Sequence, residues 1–126
     1  MLKPRLGSIG WVDLTVPNAD EVRDFYAAVV GWKPEAVGMG GYNDYNMCSP
    51  GDGKPVAGVC HKRGGNADLP GVWMVYLGVA DLDASLRGVS MLGGKLLTGP
   101  KGMGGMGRYT VIEDPAGAVC ALWQPA

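Results

Sequence analysis

A duplication inside the chain constrains its fold more than any other feature. Val12, Leu14 and Val16 recur as Val75, Leu77 and Val79, each 63 positions on. Asn18 recurs as Asp81, and Gly31 as Gly94, at the same offset. An offset held through a strand, a helix start and a helix stop describes one supersecondary unit written twice. The first strand reads Trp11-Val12-Asp13-Leu14-Thr15-Val16 and alternates with period two. Val12, Leu14 and Val16 therefore share one face, and Trp11, Asp13 and Thr15 the other. The aliphatic face is an ordinary core face. The other carries an indole, a carboxylate and a hydroxyl, which suits contact with water or a ligand.

Asn18 with Glu21 three residues on is a helix-start signature, because an amide oxygen and a carboxylate can satisfy orphan N–H groups. Val22, Phe25, Tyr26 and Val29 follow as one helical stripe, and Gly31 is a natural stop. Tyr42 to Cys48 and Val56 to His61 read as strands around the turn Ser49-Pro50-Gly51-Asp52-Gly53. The second copy opens on Met74 to Val79, caps a helix with Asp81 and gives it the stripe Leu82, Leu86 and Val89. Gly88 weakens that helix by about 1 kcal/mol relative to alanine. A glycine-rich loop, the strand Tyr109 to Glu113, the turn Asp114-Pro115-Ala116-Gly117 and a strand from Ala118 to Trp123 complete it. The organisation predicted is a single domain over 1–126, with one module at about 8–63, a linker at 64–71 and a second module at about 72–126.

The chain has 126 residues, 47% of them hydrophobic and 18% charged, which is globular and not disordered. Eleven basic residues against twelve acidic ones leave a net charge of −1, with no electrostatic footprint for nucleic acid or an anionic membrane. No apolar run approaches the roughly 18 residues a bilayer requires. Met1 to Gly7 is basic without an apolar stretch after it, so it reads as no signal peptide. Cys48, Cys60 and Cys120, odd in number and widely spaced, read as free thiols of a cytoplasmic protein. Gly102 to Gly107 fits GxGxxG, but the strand-like Arg108 to Ile112 follows where a dinucleotide site needs a helix, so no nucleotide cofactor is expected. The loop at 99–107, rich in glycine and methionine, suits either a lid or a passive mobile connection, and both readings stay open. His61, the single histidine, cannot share an ion with its neighbour Cys60, which points to the opposite face, and it reads as a surface residue at a strand end rather than a ligand or base.

The chain resembles the vicinal oxygen chelate superfamily, which includes glyoxalase I, extradiol dioxygenases, fosfomycin-resistance enzymes and bleomycin-binding proteins. The resemblance rests on Gly10 to Pro17, on Asp24-Phe25-Tyr26 with Gly31-Trp32, and on the ending Asp114-Pro115-Ala116-Gly117 through Pro125. It implies an α+β fold, with two βαβββ modules forming a curved, mostly antiparallel mixed sheet around a cleft, and a homodimer. It also implies four metal-ligand positions, which fall on Trp11, Gly58, Met74 and Ala121. None is a ligand for a hard or borderline divalent ion, so no metal is expected.

The cleft lining expected from strand parity is Trp11, Asp13, Thr15, Cys60, Met74, Tyr76 and Trp123, with Tyr45 and Tyr109 beside them. Trp32 reads as structural, and Trp73 as facing away from the cleft or framing an interface. The function expected is metal-independent binding of a small molecule, sequestering an aromatic or amphipathic compound such as an antibiotic. Apolar burial and stacking would supply affinity, and Asp13 would select charge or orientation. The alternative is a lyase or isomerase that uses Asp13, the weak catalytic candidate, or metal ligands not recognised above. A third reading is a scaffold whose cleft is filled by its own side chains.

Overall fold

A computed structural model describes residues 5–126; the start of the basic N-terminal segment, residues 1–4, lies outside the described residues. In chain order the elements are β1 (Ile9–Val16), α1 (Ala19–Val30), β2 (Lys33–Gly38), β3 (Asn43–Cys48), β4 (Pro55–His61), β5 (Met74–Gly78), α2 (Leu82–Met91), β6 (Lys95–Gly102), β7 (Arg108–Glu113) and β8 (Val119–Gln124). A 3-10 turn, Gly64–Asn66, interrupts the linker. The fold is α+β, and the order strand–helix–three strands occurs twice. Contacts divide the chain into two compact units, Val12–Trp73 and the segment up to Trp11 together with Met74–Ala126.

In the first unit the strands run β2-β3-β4-β1. β2 with β3 and β3 with β4 are antiparallel, and β1 with β4 is parallel. Helix α1 covers one face, where Ala19, Tyr45, Met47 and Val59 form the core with Val16, Val22, Tyr26, Trp32 and Trp73 packed around them. Tyr26, Trp32 and Trp73 pack as a ring cluster with centroids 5.1–5.9 Å apart. Trp32 is thus structural, and Trp73 belongs to the helix side. Helix α1 starts where the sequence places it, but Asn18 makes no side-chain cap. Its amide donates instead to Glu21 Oε1 at 3.2 Å, so the expected capping box does not form.

The second unit repeats the plan with β5 parallel to β8, and β8-β7-β6 antiparallel. Its N-terminal segment pairs through Gly7 N–H to Gly78 O and Gly78 N–H to Ser8 O. Leu82, Ile112 and Leu122 form its core with Leu77, Val79, Leu86, Val89 and Cys120 around them. Asp81 caps α2 by accepting from the Ala84 N–H at 3.1 Å. The helix stop differs from the expected one. Gly93, at φ 89°, takes the left-handed turn. Gly94 instead allows a close approach, since a Cβ there would lie 2.8 Å from Glu113 O and 2.9 Å from Val89 Cγ1. The glycine-rich stretch is also less of a loop than expected, because β6 runs through Gly102 with two register shifts.

Candidate functional site

Each sheet has one face covered by its helix and one that is not, and strand register assigns side chains to these faces. In the first unit Asp13 pairs with Gly58 and Thr15 with Cys60 across β1 and β4, and Gly58 pairs with Asn46 on β3. Asp13, Thr15 and Cys60 thus share the face away from α1, as expected. Thr15 is buried, and one Asp13 carboxylate oxygen is shielded from solvent. Burial first, and then the negative charges of Asp13 and Asp44, push the Cys60 thiol far above its ordinary range. Cys60 is therefore a neutral thiol at physiological pH and not a nucleophile.

Tyr45 requires correction. It pairs with Val59, whose neighbour Cys60 points the other way, so its ring lies on the helix side and not with Asp13. Its hydroxyl donates to Asp20 Oδ1 at 2.6 Å, and the Arg23 guanidinium lies 4.6 Å from its ring centroid. That hydrogen bond to Asp20, and then burial, hold the phenol above its ordinary pKa. His61 is not the surface residue expected either. Its side chain is 18% exposed, with Nδ1 3.3 Å from Asp44 Oδ1 and Nε2 3.6 Å from Asp20 Oδ1. Its backbone N–H donates to Asp44 at 2.8 Å, and Tyr42 meets its ring edge-on at 5.4 Å. Asp44 carries no sequence signal for this role, because it lies near the start of a strand whose alternation says only which face it takes.

In the second unit Tyr76 pairs with Ala121, which pairs with Val111, while Gly78 pairs with Trp123, which pairs with Tyr109. Met74, Tyr76, Tyr109, Ala121 and Trp123 accordingly form one wall on the face away from α2. The Tyr76 and Tyr109 rings are 6.0 Å apart. Trp11 belongs to this unit and is buried, as are Met74 and Tyr76, while Trp123 is fully enclosed. Part of that enclosure comes from the glycine-methionine loop, since Trp123 Nε1 donates to Met106 O at 2.7 Å. The loop tightens on itself through Met103 N–H to Gly107 O and Met106 N–H to Met103 O. Gly107, at φ 104°, lies so close to the backbone of Gln124 and Ala126 that no side chain fits there.

The lining residues expected from the sequence thus fall into two sets, Asp13, Thr15 and Cys60 in one unit, and Trp11, Met74, Tyr76, Tyr109 and Trp123 in the other. The positions that the resemblance assigns to metal ligands offer an indole, a hydrogen, a thioether and a methyl group. Such a set does not fit a hard or borderline divalent ion. Among the described residues no three or more His, Cys, Asp or Glu side chains gather to hold a metal. The three cysteines are free thiols, and no helix among the described residues is long and apolar enough to cross a membrane.

Comparison with known proteins agrees with this architecture. The chain is 34% identical to the anthracycline biosynthesis protein DnrV of Streptomyces peucetius, over 94% of this chain and 47% of that protein. It is 32% identical to the putative glyoxylase CFP32 of Mycobacterium tuberculosis, over 95% of this chain and 46% of that protein. The chain therefore spans about half the length of the curated relatives it matches. Among solved structures, methylmalonyl-CoA epimerase from Mycobacterium tuberculosis shares the fold, with a TM-score of 0.54 and 21% identity over 100% of this chain and 93% of that one. The profile of the Glyoxalase/Bleomycin resistance protein/Dioxygenase superfamily matches residues 8–122, and the chain belongs to that superfamily.

Proposed function

We propose that the chain is a small-molecule binding protein that takes an aromatic or amphipathic compound against the aromatic wall of its second unit, without a metal ion. One observation carries the reading. Where relatives of this fold would grip a cation, this chain presents Trp11, Gly58, Met74 and Ala121, and the strands around the last two carry Tyr76, Tyr109 and Trp123. A flat apolar ligand gains burial and ring stacking from such a wall, with no catalytic group required. The Streptomyces relative is named for anthracycline biosynthesis, and fused aromatic rings are the ligand class this wall suits. Ligand access requires the Met106 carbonyl to release Trp123, which gives the glycine-methionine loop the role of a lid. A second copy of the chain completes the binding unit, and the three free thiols suit a cytoplasmic setting.

A second reading is a lyase or isomerase in which Asp13 moves a proton. The shielded carboxylate oxygen of Asp13 and a relative named as a putative glyoxylase favour it. Titration of an anthracycline into the protein, followed by tryptophan fluorescence with and without EDTA, separates the two. The binding reading predicts saturable quenching indifferent to EDTA and no consumption of the methylglyoxal–glutathione adduct. Turnover of that adduct, dependent on added nickel or zinc or abolished in Asp13→Asn, would replace it with the enzyme reading.

A further inference from the structure

The helix side of the first unit carries a groove of about 440 Å³ that belongs to neither wall described above. Its floor is aliphatic, with Leu14 and Val16 from β1 and Val22 from α1. Its sides are aromatic, with Phe25 and Tyr26 from α1 and Trp73 from the end of the linker. Phe25 is 56% exposed, so its ring is not consumed by the core. Trp73 Nε1 donates to the Tyr26 hydroxyl at 3.1 Å, which fixes both rings, and the phenol retains its own O–H as a donor. The size is that of a ligand pocket, and apolar walls with a few placed polar groups are what such pockets use.

The charge at the rim selects the ligand. Glu21 is the charged side chain among the residues that line the groove, and the Asn18 amide donates to its Oε1. The cation next along the helix, Arg23, is committed to Asp24 at 2.9 Å and to Asp20 at 3.9 Å. The rim is therefore acidic. We propose that this groove is a second ligand site, for a small aromatic amine whose ring lies between Phe25 and Trp73 and whose ammonium meets Glu21. Stacking on Trp73 and the charge of Glu21 act on opposite ends of such a molecule, so neither a neutral hydrocarbon nor an aromatic acid matches it equally well.

The test uses 1-naphthylethylamine and its acidic counterpart 1-naphthylacetate, titrated into the ¹⁵N-labelled chain. The amine should shift the Trp73 indole resonance and the amides of Gly71 and Val72, and leave the Trp123 indole resonance in place. Glu21→Gln should weaken the amine about three- to fivefold, the size of one exposed ion pair, and the acid should bind more weakly still. Equal affinity for amine and acid, an unchanged affinity in Glu21→Gln, or no shift at Trp73 would overturn the assignment. So would movement of the groove resonances with protein concentration alone, which would give the groove to a second copy of the chain. Because the wall and the groove report through different indole groups, failure here leaves the binding function above untouched.

Discussion

Tyr45 ties its strand to its helix through one phenol. The O–H donated to Asp20 lies in a half-buried setting, and removing it leaves Asp20 facing Arg23 and His61 alone. Tyr45→Phe should cost about 1 kcal/mol in urea unfolding, the net worth of one such bond. The phenol's folded pKa lies above its unfolded value. Its contribution is therefore complete below about pH 10 and is lost as pH rises through the folded value. Wild-type stability should fall in that alkaline window, and less so in Tyr45→Phe; an identical alkaline loss in both would deny the phenol this role. Cys60 follows the same sign, with its neutral form favoured by burial beside Asp13 and Asp44. At pH 8 iodoacetamide should label Cys60 at least about tenfold more slowly than a free cysteine, because the thiolate is the reacting form. Peptide mapping that finds Cys60 labelled early would contradict the environment described for it.

At the scale of elements, the two helices differ in ways their matching sequence positions conceal. Asp81 makes a cap bond to Ala84 and Asn18 makes none. Asp81→Ala should therefore cost about 1 kcal/mol, and Asn18→Ala distinctly less, by thermal or urea unfolding. Glycines in and after α2 divide the same way. A methyl group added at Gly88 would meet nothing within 4 Å, so Gly88→Ala should stabilise by up to about 1 kcal/mol. Gly94→Ala drives a methyl against Glu113 O and Val89 and should destabilise by about 1–3 kcal/mol. β1 and β5 are legible by their alternation, and β3, β4, β7 and β8 as apolar runs bounded by turn residues. β2 is exposed at every position, and β6 carries glycine, proline and register shifts, so neither shows the period that burial imposes.

At the scale of the whole molecule, the repeat made the two βαβββ modules legible, because helix, cap and strand recur at one spacing. The candidate site was legible where parity alone decides the face, as for Asp13, Thr15, Cys60, Met74, Tyr76 and Trp123. It was not legible at Tyr45, because counting parity along a strand requires knowing which residue begins the pairing, and an aromatic side chain suits either face. Nor were the partners of His61 and Trp123 visible, since Asp20 and Met106 reach them from elements distant in sequence. The proposed binding needs no cation. Isothermal titration of zinc, nickel and manganese into the metal-stripped chain tests it most directly. No site tighter than about 100 μM is expected for any of the three, since no ligand position carries an imidazole, carboxylate or thiolate. One ion bound per chain with micromolar or tighter affinity, weakened by substitutions beside Trp11, Gly58, Met74 or Ala121, would contradict it.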